Sequence, residues 1–205
     1  MIEEIAKNKG IECLWHFTRL ENLEAILENG LVPRSVLEDN GDVVDYNDEL
    51  RLDGQKDAIC FSIGFPNYRM FYSLRETHKD IEWVVLACEP EILWTKDCAF
   101  CTENAASNNV TKIALQDRKG ADAFEKLFEE IDGKPSREEL GISAFCPTNP
   151  QAEILVFDRV EPELIGAICC ETTNQRDNLR EVFPEWEIEE VNAVFSPRKD
   201  FKHWK

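Results

Sequence analysis

The short, strand-length apolar runs of this chain restrict its fold more than any other feature. Trp83-Val-Val-Leu-Ala-Cys88, Ile154-Leu-Val-Phe157 and Ile165-Gly-Ala-Ile-Cys-Cys170 are the clearest. Bounded by polar or turn residues, such runs read as buried strands, and none approaches the ~18 residues that span a bilayer. Helical spacing occurs beside them. Leu20, Leu23, Ile26 and Leu27 share one face, ended by Asn29-Gly30, where glycine can take a positive φ. Phe124, Leu127, Phe128 and Ile131 share another. A sheet covered by helices is the fold that buries both patterns.

The spacing predicts strands over 13–17, 58–63, 82–88, 153–157 and 164–170, with a last short one over 191–195. It predicts helices opened by Thr18, running over 67–76 after Pro66, and running over 173–183. Residues 34–57 are polar, contain Gly41, Gly54 and several scattered aspartates, and read as a long surface loop. Helices near the start and strands concentrated later give an α+β class. With no repeat and no linker-like stretch, residues 1–205 are expected to form one domain.

Charge narrows the function. There are 23 Lys and Arg against 41 Asp and Glu, a formal net charge of −18, which repels phosphate and disfavours broad non-specific nucleic-acid binding. The tail is different: Arg198, Lys199, Lys202 and Lys205 face only Asp200 and are interleaved with Phe201 and Trp204. That mixture suits stacking on bases while holding phosphates, or simply a solvated tail. The acidic start, Met1 to Lys7, lacks the basic and apolar regions of a signal peptide, so a cytoplasmic protein with no membrane association is expected. Its eight cysteines are then expected to be reduced thiols. Cys98-Ala-Phe-Cys101 is a lone CxxC without a second pair, and no metal site is expected.

Hydrolase and kinase motifs are missing: the sequence has no nucleophile elbow, P-loop, GxGxxG or HExxH. His16 sits in the apolar stretch Leu14-Trp15-His16-Phe17-Thr18 as a core, edge or functional residue. Glu153 opens a buried strand, where a carboxylate is costly unless it has partners or a task. Arg51, inside the acidic loop, is a solvated charge by default.

Three stretches contain or follow these residues. They are His16-Phe17-Thr18-Arg19-Leu20-Glu21-Asn22-Leu23 through Asn29-Gly30-Leu31, Cys60-Phe61-Ser62 through Pro66-Asn67-Tyr68-Arg69-Met70-Phe71-Tyr72, and Pro150-Gln151-Ala152-Glu153-Ile154-Leu155-Val156. In order and spacing they resemble the DarT family of ADP-ribosyltransferase toxins over nearly the whole chain. That family modifies single-stranded DNA and is paired with a macrodomain antitoxin of DarG type.

The resemblance implies an ADP-ribosyltransferase-like split mixed β core with surrounding helices, and NAD as co-substrate. It implies Glu153 as the catalytic carboxylate, with Arg51 holding the NAD diphosphate or the incoming base. His16, Thr18, Asn22 and Gln151 would surround the NAD ribose and nicotinamide. Tyr68, Phe71 and Tyr72 are either nicotinamide-pocket or core residues, with Phe71 and Tyr72 favoured for the pocket. Lys112, Arg118 and Lys119, with Arg198 and Trp204, would hold the DNA strand. The segment Phe61-Ser62-Ile63-Gly64-Phe65-Pro66 differs from the thymidine-modifying branch, so thymidine and guanosine both stay open as the modified base. RNA, protein or water as acceptor, or an NAD-binding module without transferase activity, are the competing expectations. A toxin or phage-defence role goes with the family.

Overall fold

A computed structural model describes residues 1–40 and 54–204 of the chain. Its described strands are β1 (Leu14–Arg19), β2 (Ile59–Ile63), β3 (Trp83–Cys88), β4 (Cys98–Cys101), β5 (Glu153–Val156), β6 (Ile165–Cys170) and β7 (Ile188–Glu190). They form one sheet in the order β4-β5-β2-β1-β3-β6-β7, antiparallel throughout except for the β6–β7 pair. The sheet is unevenly joined. β1 pairs with β3 over its whole length, Leu14 to Arg19, but with β2 only at Leu14–Ile63 and Trp15–Ser62. Beyond Trp15 the ladder stops, so β4-β5-β2 and β1-β3-β6-β7 are two halves split by an open seam.

The helices are α1 (Ile2–Lys9), α2 (Leu23–Asn29), α3 (Arg34–Asn40), α4 (Tyr68–Thr77), α5 (Ile92–Thr95), α6 (Asn108–Thr111), α7 (Gly120–Lys126), α8 (Arg137–Leu140) and α9 (Thr173–Val182). One face of the sheet, with Leu14, Phe61, Leu86, Ile154 and Ile168, packs against Leu23, Leu27, Ile92, Leu93 and Phe124. Each such burial contributes about 1.5–3 kcal/mol. The opposite face carries an aromatic cluster under α4, where Phe71 stacks on Phe17 at 4.6 Å and meets Trp83 edge-on at 5.7 Å.

Tertiary pairing overrides local rules in several places. Thr18 does not cap a helix; it stays in β1, and a 3₁₀ turn (Leu20–Asn22) leads into α2. Residues 34–40 form α3 rather than loop. β4 is hidden in a polar stretch because it is only four residues long, although all four are buried. The helix containing Phe124 ends at Lys126, so Ile131 falls outside it. The last strand is Ile188–Glu190, paired in parallel with β6, and Asn192–Phe195 is a 3₁₀ turn. Strand geometry also separates the two cysteines of the CxxC. Residues three apart in a strand point to opposite faces, and Cys98 and Cys101 accordingly join different core clusters. All eight cysteines are free thiols.

Gly30 ends α2 as expected, at φ 76 and ψ 178, a region essentially reserved for glycine. A Cβ there would lie 2.2 Å from the Val160 carbonyl oxygen, which accepts the Leu31 N–H at 2.8 Å. Gly30→Ala is therefore expected to cost at least about 1–3 kcal/mol from backbone strain, read as a lower denaturant midpoint with unchanged slope.

Candidate active site

The site begins with a turn. The Asn149 side-chain oxygen accepts the Gln151 N–H at 2.9 Å and its carbonyl accepts the Ala152 N–H at 3.1 Å. This Asx turn reverses the chain into β5, so that Glu153 becomes the first strand residue. Glu153 is 5% exposed. Its Oε1 accepts Nδ2–H groups from Asn67 and Asn104, each at 3.0 Å, and its Oε2 accepts the Ala105 backbone N–H at 2.8 Å. A buried carboxylate costs several kcal/mol without such partners, and the donors fix its direction as well as offsetting that cost.

Both amides are themselves oriented. The Asn67 side-chain oxygen accepts the Met70 N–H at 3.3 Å and so caps α4, while the Asn67 backbone N–H donates to Ser62 Oγ at 3.1 Å. The Asn104 side-chain oxygen accepts the Ala106 N–H at 3.0 Å. With each oxygen engaged by a backbone donor, each NH₂ is left to face the carboxylate.

His16 lies at the split seam. Its Nδ1 is 2.9 Å from the Cys60 carbonyl oxygen on β2, an acceptor, so Nδ1 carries the hydrogen. Burial pushes the imidazole pKa below its ordinary value, against the opposing pull of that hydrogen bond. The ring is therefore neutral at pH 7, and Nε2 presents a lone pair. Beside it, buried Thr18 accepts a hydrogen bond from Asn22 Nδ2 at 3.4 Å. Strand register puts Glu153 on the pleat face of Leu155, Cys60, Ser62 and Trp15, and His16 on the other. The two candidates approach the seam from opposite faces.

Arg51 lies outside the described residues. The Gln151 N–H is spent in the Asx turn. Phe71 is 1% exposed inside the aromatic cluster, and Tyr72 is 61% exposed on α4. Tyr68 is buried, and its hydroxyl has no hydrogen-bond partner among the described residues. Lys112 is exposed, Lys119 is paired with Asp97 at 2.6 Å, and Arg118 is buried at the edge of β4. Arg198 and Trp204 do not form an open stacking surface. Both are buried, with Arg198 donating to Asp200, Pro147 and Thr148, and Trp204 Nε1 donating to Asp200. Sequence reasoning missed Asn67, Asn104 and Ala105. Asn67 left a signal, an N-cap residue directly after Pro66; Asn104 and Ala105 left none.

Among the described residues no group of three His, Cys, Asp or Glu side chains is placed to hold a metal ion. None of the described helices is long and apolar enough to cross a membrane.

A split mixed sheet with a braced glutamate at a strand end is the architecture of an ADP-ribosyltransferase-like α+β protein. The family model described as ssDNA thymidine ADP-ribosyltransferase, DarT, matches residues 15–201, and the chain belongs to the DarT family. Among solved structures it is similar to Thermosipho africanus DarTG in complex with ADP-ribose, at 18% identity and a TM-score of 0.61. That match covers 90% of this chain and 51% of the other, so the chain spans about half the length of that relative. It is also similar to Thermus sp. 2.9 DarT in complex with ADP-ribosylated ssDNA, at 13% identity and a TM-score of 0.58 over 91% of this chain and 97% of the other. The same Thermus protein in complex with carba-NAD+ matches at 12% identity and a TM-score of 0.55, over 90% and 98% of the two chains. No curated protein sequence matches.

Proposed function

We propose that this chain transfers ADP-ribose from NAD to a base of single-stranded DNA, with thymidine, the base in its family's description, as the first candidate and guanosine as the second. The observation that carries the proposal is the Glu153 carboxylate, buried at a strand end and aimed by Asn67, Asn104 and Ala105. In this reaction the bond between the nicotinamide nitrogen and the ribose anomeric carbon breaks, and nicotinamide leaves with the electron pair. Positive charge develops on the ribose, a nitrogen of the base attacks, and a proton is lost. A fixed carboxylate serves twice, stabilising that charge and receiving the proton. His16 Nε2, with its lone pair, would accept a ribose hydroxyl or carboxamide hydrogen, with Thr18 and Asn22 beside it. Arg51 would hold the diphosphate or the incoming base, and Gln151 would lie at the ribose.

A toxin or phage-defence role, kept in check by a macrodomain antitoxin of DarG type, follows the same reading. The likeness to a DarTG chain supports that partner. The test is mass spectrometry of a mixed-sequence single-stranded oligonucleotide after incubation with protein and NAD. One added ADP-ribose per strand, with fragmentation naming the base, is the expected result. Nicotinamide release with an unchanged oligonucleotide would move the acceptor to RNA, protein or water. Neither product would make the chain a binding module.

A further inference from the structure

At the outer edge of β4 a cleft of about 100 Å³ opens, lined by Cys101, Thr102, Val110, Asp117, Arg118 and Lys126 among others. Arg118 is only 7% exposed, yet its guanidinium is poorly served. Among the described residues Nε is buried without an acceptor, and the one contact of the head group is from Nη1 to the Cys101 sulphur at 3.6 Å. No ion pair forms with it among the described residues. An unmet buried donor costs about 1–3 kcal/mol and an uncompensated buried cation more, so such a group in a folded protein calls for an explanation.

The main chain holds Arg118 there. The 3₁₀ turn Leu115–Arg118 is tied to β4 by the Lys119–Ala99 bridge, and the Lys119 ammonium is fixed on Asp97 at 2.6 Å. The guanidinium is thus placed by its neighbours while its own donors are left over. Its position relative to Glu153 is informative, because Cys101 is the strand partner of Glu153 in the β4–β5 ladder. One wall of the cleft is thus one strand away from the candidate carboxylate. From the β1–β2 seam, where His16 and Thr18 lie, it is separated by the width of β2, β5 and β4. Exposed Lys126 adds a second cation and exposed Asp117 one carboxylate, leaving the cleft positive in a chain of net charge −18.

We propose that this cleft is a subsite for one backbone phosphate of the strand being modified, bound by Arg118 with Lys126 at the rim. It rests on single-stranded DNA being the acceptor. A planar fork of N–H donors matches phosphate oxygens, and an acidic protein must attract a polyanion at a few local points. The diphosphate of NAD offers the same chemistry, and the experiment separates the two.

Binding of a labelled thymidine-containing oligonucleotide is measured without NAD, for the full chain and its Arg118→Gln and Lys126→Gln variants. The set is repeated with strands in which one phosphate at a time is a neutral methylphosphonate. Arg118→Gln is expected to weaken binding on the order of tenfold and to reduce the salt slope by ~0.7. One methylphosphonate position should weaken the parent by the same factor and leave Arg118→Gln unaffected. Lys126→Gln, at an exposed position that folding does not need, should show a smaller coupling to the same phosphate. Equal losses in parent and variants at every position overturn the proposal. So does weaker NAD binding by Arg118→Gln with strand binding intact, which would give the cleft to the dinucleotide. A parent that binds no oligonucleotide overturns the acceptor reading and the subsite with it.

Discussion

Glu153→Gln is expected to lower ADP-ribosyl transfer by roughly 10²- to 10³-fold, the scale on which removal of one preorganised electrostatic group acts. Glutamine keeps the size of the side chain but brings one oxygen and one NH₂ where the carboxylate brings two acceptors. Among the described residues its donors, from Asn67, Asn104 and Ala105, are N–H groups, so the new NH₂ must face at least one of them. That mismatch costs about 1–3 kcal/mol and is expected to lower the unfolding midpoint by a few degrees. The chemical effect should be far larger than the structural one. Measured at a temperature where both proteins are folded, NAD affinity should stay within a few-fold while nicotinamide release and strand labelling collapse together. Transfer near the parent rate would remove Glu153 from the chemistry, and equal losses in NAD binding and turnover would make it a binding residue only.

How much of this is legible in the amino-acid sequence depends on how local each signal is. β3 and β6 are readable because their runs are apolar from end to end, as in Trp83-Val-Val-Leu-Ala-Cys88, which is covered on both faces over nearly its whole length. β4 and β7 are not, since four or three residues are too few to show a period and their pairing comes from distant partners. Glu153 stands out as a carboxylate opening an apolar run. Its surroundings do not, because Asn104 and Ala105 are separated from it by 49 and 48 residues. Phe71 and Tyr72 differ by one helical position, which alone sends one into the core and the other to solvent.

The C-terminal segment misleads through its charge count, and the clue is its lone acid. Asp200 counts as one negative among four cations, yet it is the centre of the segment. Asp200→Asn is expected to destabilise the protein by about 3–5 kcal/mol, the cost of leaving a buried partner charge uncompensated. For a chain of this size that is on the order of 10 °C in unfolding midpoint. Asp200 is 2% exposed and accepts Arg198 Nε at 2.6 Å, Arg198 Nη2 at 2.7 Å and Trp204 Nε1 at 2.6 Å. Arg198 in turn donates to the Pro147 and Thr148 carbonyls at 2.7 and 2.8 Å, and Arg69 on α4 donates to the Trp204 carbonyl.

The effect carries a pH signature. Burial by itself would raise the Asp200 pKa, but the hydrogen bonds and charge of Arg198, with the Trp204 N–H, hold it below the ordinary aspartate value. A carboxyl depressed in the folded state stabilises fully above its unfolded pKa, about 4, and loses that contribution as pH falls through the folded value. The gap in midpoint between parent and Asp200→Asn should therefore be widest near neutrality, begin to narrow near about pH 4 and close as pH falls through the folded value. A gap independent of pH would mean that the knot is held by packing rather than charge. The same knot joins α4, whose cap residue Asn67 touches Glu153, to the 147–148 segment that leads into β5. Loosening it frees both sides of the carboxylate, so transfer should fall in Asp200→Asn before the protein unfolds.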